Sequence, residues 1–192
     1  MLLLIRPDER GLRKHMHYFA KLTFSYEELS STREMSVPDG YAADHNRILL
    51  GTSDQVWERA RKAIRDWRMF HQDWIQMCWP YKRLEPGITI AVLAHHYIFY
   101  TLNAGRVVYA IDEPNRFGFA YGTLTSHMAR GEERFLVERL ENGEVWFDLY
   151  AISRPRDWAA KMFYPLARLA QRRFRQGALR AMKRAATRIV TE

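Results

Sequence analysis

The sequence predicts an α+β fold, a curved antiparallel β-sheet of about seven strands wrapped around one long C-terminal helix, and three observations carry that prediction. Extended segments between Ile88 and Ser153 are joined by turns as short as Pro114-Asn115 and Glu141-Asn142-Gly143, so consecutive strands can only be antiparallel neighbours. After Pro155 the apolar period becomes that of a helix. Within the central strand, Phe117, Phe119, Tyr121 and Thr123 alternate with Gly118, Ala120, Gly122 and Leu124, giving one aromatic face and one nearly bare face that invites close approach of a backbone or a ligand and on which the terminal helix is expected to settle, leaving a sheltered hollow.

A chain of 192 residues buries a sufficient core without staples. Its single cysteine, Cys78, lies in an apolar run, so no disulfide framework exists and a cytoplasmic setting is expected. Met1 to Ile5 is apolar but is followed at once by Arg6, Asp8, Glu9 and Arg10, which leaves no signal-peptide core. The net charge of +8 is concentrated: Arg154 to Glu192 holds eleven Lys or Arg against two acids, and the preceding 153 residues hold nineteen basic and twenty acidic groups. Such a basic helix meets an anionic partner or serves as a solvated face.

Residues 1–45 read as an extension packed on a domain of residues 46–192. Leu12 to Leu22 suits a short helix, and Val37-Pro38-Asp39-Gly40 a turn. Arg47 to Gly51 is a short strand. Thr52 is the expected N-cap of the next helix, with Gln55 completing a capping box, and Val56, Trp57, Ala60, Ala63, Ile64, Trp67 and Phe70 recur at helical spacing as a core stripe. Trp74 to Trp79 is extended and Pro80 punctuates it. Gly87 to Gly105 has no charged residue, yet its β-branched and aromatic content favours a strand over a membrane span. Ile88 to Leu102 and Arg106 to Glu113 are strands joined by Asn103-Ala104-Gly105. Strands Glu132 to Leu140 and Glu144 to Ser153 follow. Pro155 suits the first turn of a helix over 155–190, whose stripe (Trp158, Met162, Phe163, Leu166, Leu169) rotates after Gly177. That rotation predicts a kink or end at Gly177, with the first half lying on the sheet and the second reaching beyond it.

At the motif level the chain resembles uncharacterised protein family 0548, whose hallmark is a GFAYGTL segment, a histidine, GEE-x-F and then SRP. Here these are Gly118 to Leu124, His127, Gly131-Glu132-Glu133, Phe135 and Ser153-Arg154-Pro155. Arg106-Val107-Val108-Tyr109, Pro165, Arg168 and Gln171 extend the likeness. Thr125-Ser126 stands where Pro-Gly is usual, and Ser30 where the pattern from Tyr26 to Thr32 has glycine. The order of elements is similar to the helix-grip fold of START-related and birch-pollen-allergen-like proteins, the SRPBCC superfamily. The resemblance implies that fold and a cavity under the last helix; it implies no established reaction.

His127 with Glu132 and Glu133 is the sharpest polar cluster. A histidine beside a carboxylate can act as an acid or base near neutral pH, and His127 with Glu133 would serve a hydrolase or a cyclase-like rearrangement. On a strand, however, Glu132 and Glu133 face opposite ways, and one of them would then satisfy backbone amides or an arginine. His95 and His96 also face opposite ways, which disfavours a metal site, and no cofactor motif is present. Tyr121, Thr123, Trp146, Asp148, Tyr150 and Arg154 supply apolar walls with polar handles, and Arg168 and Gln171 could fix a head group; the same residues would also make an ordinary aromatic core. The expected partner is a hydrophobic or lipid-like small molecule, with binding rather than catalysis as the leading role. A second expectation is an anionic membrane surface met through 178–190. No specific nucleic acid is expected, since the basic residues are not interleaved with exposed aromatics.

Overall fold

The computed structural model describes residues 1–78, 84–127, 129–156, 162 and 164–187. Trp79, Pro80, Trp158, Phe163 and Ile189, which the sequence pattern assigned to elements, lie outside them. The chain runs β1 (Leu2–Leu3), α1 (Glu9–Ala20), α2 (Ser31–Glu34), β2 (Ala42–Thr52), α3 (Asp54–Arg65), a 3-10 turn (Arg68–Phe70), β3 (Ile75–Cys78), β4 (Thr89–His96), β5 (Phe99–Glu113), β6 (Arg116–Thr123), β7 (Ala129–Arg139), β8 (Glu144–Pro155) and α4 (Tyr164–Thr187). The strands form one antiparallel sheet in the order β2-β8-β7-β6-β5-β4-β3. The ladder with β6 begins only at Gly105 on β5, and the two-residue β1 pairs with Tyr100 and Thr101 on the stretch before it.

Two layers cover the sheet. On one face Phe119, Phe135, Phe147 and Leu149 are sealed against α3, the 3-10 turn and the second half of α4, which contributes Ala178, Met182 and Ala186. Burying aromatic surface of this kind is strongly favourable. The opposite face carries Tyr109, Ile111, Ala120 and Leu136 and, further along, Tyr150 and Ile152, which pack with Tyr26 and Tyr41 of the segment before β2.

This assignment reverses one expectation. The Gly/Ala face of β6 is not the bed of the terminal helix; it admits the N-terminal segment. A Cβ on Gly122 would overlap the Tyr26 ring and hydroxyl, and one on Gly118 would overlap the Phe135 carbonyl of the next strand. Small residues were needed there for a neighbouring backbone and a tyrosine.

Four local assignments also move. The β4–β5 hairpin turns at Tyr97-Ile98, with Tyr97 at φ 53°, while Asn103-Ala104-Gly105 continues β5. Gly105 sits where the Tyr121 ring crosses the ladder, 2.7 Å from any Cβ placed there. The α3 N-cap is Ser53, whose Oγ accepts from Val56 N at 3.2 Å, because Thr52 is still paired in β2. Pro155 closes β8 opposite Ala129 instead of opening a helix. Finally, α4 runs unbroken through Gly177, where the Gln72 amide packs, and its second half, expected to reach beyond the sheet, is the half sealed in the core: Ala178, Ala181, Met182 and Ala186 are buried, while in the first half Leu166 and Leu169 are about two-thirds exposed.

Candidate functional site

The register places four helix-facing residues in one row across the sheet. Tyr121 on β6 pairs with Glu133 on β7, Glu133 with Ala151 on β8, and Ala151 with Asp44 on β2. The next row, Phe119, Phe135, Leu149 and Asn46, is sealed at its three apolar positions. By contrast all four residues of the polar row keep partial solvent access. The first half of α4 lies over this row with a polar stripe, Arg168, Gln171 and Arg175, at spacings of three and seven residues.

Arg168 grips Asp44 with both terminal nitrogens, the Nη2 to Oδ1 distance being 2.7 Å, and its Nη1 also donates to Gln171 Oε1 at 3.2 Å. Arg175, buried, donates to Asp44 Oδ2 at 3.1 Å. Arg168 first, then Arg175, holds the Asp44 carboxyl below the usual carboxylate range. Tyr121 donates its hydroxyl to Glu133 Oε2 at 2.7 Å. Burial nevertheless pushes the Glu133 carboxyl up to about 7, against the opposing pull of Tyr121 and Arg175, and burial beside that carboxyl raises the Tyr121 phenol well above its ordinary value. Phe70, Phe135 and Phe174 supply the apolar wall beside Tyr121. The arrangement offers one anchored arginine pair, one acid that titrates near neutrality, and aromatic surface between sheet and helix.

Other predicted residues sit elsewhere. Trp146, Asp148 and Tyr150 alternate onto the opposite face. There Asp148 accepts from Arg134 Nη2 at 2.8 Å, lies 3.2 Å from Arg47 Nε and 2.6 Å from His45 Nε2, and Arg134 also donates to Thr32 O at 3.0 Å. Arg154 lies over the Tyr41 ring at 4.6 Å and Arg47 over the Trp146 ring at 5.1 Å. Thr123 Oγ1 is shared between Ser25 Oγ at 2.7 Å and the Gly131 backbone. Tyr121 and Trp146 therefore do not border one pocket. Two open depressions of about 430 Å³ each lie near the 3-10 turn and near the end of α4, and neither is lined by Tyr121 or Trp146.

The two carboxylates of the Gly131-Glu132-Glu133 motif do face opposite ways. Glu132 is the one that satisfies backbone amides: it accepts from Ser30 N at 2.9 Å, Thr32 N at 3.1 Å and Tyr26 Oη at 2.8 Å, and also binds the Thr32 hydroxyl. His127 does not join Glu133. Its Nδ1 is held by Ala129 N and O at 3.0 and 3.1 Å, and burial together with the nearby amino terminus pushes its pKa down to about 4. It is a neutral loop histidine and lacks the carboxylate partner that an acid–base role at neutral pH needs. His95 and His96 stack on Tyr100 and Phe99, and among the described residues no three His, Cys, Asp or Glu side chains converge on a metal position. The sequence reading missed Asp44 and Arg175; alternation along β2 and the seven-residue step from Arg168 were the signals that could have found them.

Fold and row together define the class: an α+β helix-grip protein with a polar row under its terminal helix. A hypothetical protein from Helicobacter pylori is similar at TM-score 0.52 and 13% identity, over 77% of this chain and 88% of that one. Zhui aromatase/cyclase from Streptomyces sp. R1128 is similar at TM-score 0.52 and 10% identity, over 76% and 93%. At these identities the likeness shows the fold alone. The chain itself belongs to the family described as Domain of unknown function (DUF1990), matched over residues 25–181. A UPF0548 protein of Deinococcus radiodurans is 38% identical over 175 residues, 84% of this chain and 87% of the relative.

Proposed function

We propose that the protein binds a hydrophobic or lipid-like small molecule between the sheet and the first half of α4, with the polar end of the ligand at the Tyr121–Glu133 and Asp44–Arg168–Arg175 groups. The observation that carries this reading is the contrast between neighbouring rows: Phe119, Phe135 and Leu149 are closed to solvent, while Tyr121, Glu133, Ala151 and Asp44, one row along, remain reachable. Aromatic walls with a few convergent polar groups are what a small apolar ligand requires for affinity and orientation.

The test is titration of the purified chain with a solvent-sensitive apolar fluorophore, together with native mass spectrometry of co-purifying lipid. One saturable site is expected, and Ala151→Phe, which fills the floor of the row, should abolish it without unfolding the chain. Equal binding by Ala151→Phe, or none by the wild type, would refute the reading. A second reading keeps Glu133 as a proton donor, favoured by its titration near 7. That role predicts a product in an activity screen of acid-catalysed ring closures or hydrolyses, lost in Glu133→Gln and retained in His127→Gln.

A further inference from the structure

The geometry points to a peripheral docking surface for anionic lipid membrane at the end of the sheet formed by the β4–β5 hairpin and the residues after β1. Tyr97 and Ile98 are the tip of that hairpin and are 90% and 86% exposed. Leu3 pairs with Tyr100, so the chain leaving β1 brings Leu4 and Ile5, 80% and 83% exposed, alongside the same tip. Single exposed apolar residues are ordinary, but four large ones gathered at one end of a sheet mark an interaction site.

Cations flank the tip. Arg6 follows Ile5 and donates to Gln76 Oε1 at 2.8 Å, and Arg173 lies 4.5 Å from the Trp74 ring centre, which in turn meets His96 at 5.5 Å. Leu166, Leu169 and Arg173 share one stripe of α4, so exposed leucines extend from the same contact. Of the exposed acids nearby, Asp8 caps α1 and Glu9 pairs with Arg13, which leaves Asp73 against Arg6, Arg172 and Arg173. A hairpin tip and the link between β1 and α1 project outward rather than enclose, which suits a fluid surface without fixed shape, and the cations select negative headgroups.

The site differs from the expected segment 178–190. The apolar side of that segment, Ala178, Ala181, Met182 and Ala186, is buried in the core, and its residues 188–190 lie outside the described ones. No helix among the described residues is long and apolar enough to cross a membrane, so the contact is with the surface.

The full chain should co-sediment at low salt with phosphatidylcholine vesicles containing about one third phosphatidylserine, not with phosphatidylcholine alone, and about 1 M salt should release it. Tyr97→Asn with Ile98→Ser, and separately Leu4→Ser with Ile5→Ser, should each reduce the bound fraction roughly tenfold while leaving the melting temperature unchanged. The proposal is overturned if wild type stays in the supernatant with anionic vesicles, or if both double variants bind as wild type does. It is also overturned if light scattering finds a dimer that these same variants dissociate. Vesicle pelleting is independent of the fluorophore site, so either result can fail alone.

Discussion

Ser30 holds φ at 69° and its side chain caps nothing, so the serine carries the strain of a left-handed residue while its one contact with Glu132, through the backbone N–H, is one that glycine keeps. Glycine relieves that strain, and Ser30→Gly should stabilise the chain by roughly 0.5 to 1 kcal/mol, read as a higher urea midpoint at constant m. A fall in the midpoint would show that the hydroxyl does something further. Two nearby titrations have opposite signs. Glu133 is raised from 4.5 to about 7, so its contribution is fully present below the unfolded value and is lost as pH rises through 7. His127 is lowered from 6.5 to about 4, so its contribution is full above 6.5 and is lost as pH falls through 4. Between them the slopes offset. Glu133→Gln should therefore be stabilising at pH 8 by roughly 1 to 3 kcal/mol and neutral at pH 4, as read by chemical denaturation at the two pH values.

Among the elements, β6 and β8 show how strand faces are committed. Asp148 on β8 sits 4% exposed between Arg134, Arg47 and His45, and Arg134 is itself 5% exposed. Removing the carboxylate leaves a buried guanidinium uncompensated, so Asp148→Ala should cost about 3 to 5 kcal/mol, whereas Trp146→Phe on the same face should cost far less. Gly118→Ala drives a methyl into the Phe135 carbonyl of β7. It should destabilise by about 3 kcal/mol or more, and slowed amide exchange across β6–β7 in that variant would contradict the packing account. The hairpin at Tyr97-Ile98 shows local turn chemistry yielding to tertiary demand. Asn103-Ala104-Gly105 has the composition of a turn, but β5 needs those residues to continue its ladder with β4 and, from Gly105, to open the ladder with β6.

At the scale of the whole molecule, the segment before β2 closes the sheet face that α4 leaves open. Tyr26, Ser30 and Thr32 reach Glu132 across a hundred residues of sequence, and Thr32 Oγ1 meets Tyr109 Oη at 2.8 Å. Deleting residues 1–40 would strip these partners from a buried carboxylate, so the shortened chain should lose its cooperative thermal transition; a sharp transition near the full-length midpoint would refute this. Much of the fold was legible because alternation and short turns are local: seven of the eight strands, α1, α3 and the terminal helix all have sequence signals. Within the polar row and the helix above it, Tyr121 and Glu133 came from the strand pattern, and Arg168 and Gln171 from the family resemblance. Trp146, Asp148, Tyr150 and Arg154 fell on the other face, because a period of two separates faces without saying what covers each.

By itself, then, the sequence determined the α+β class, the antiparallel pairing of consecutive strands and the presence of a long basic helix, since each follows from spacings within a few residues. Only the tertiary structure decided that the aromatic face lies under α3 and α4, that Asp44 and Arg175 complete the row with Glu133, and that Glu132 is tied to the chain's beginning. Those outcomes depend on register and on contacts between residues a hundred positions apart, where desolvation and pairing are set by the assembled molecule and not by neighbours along the chain.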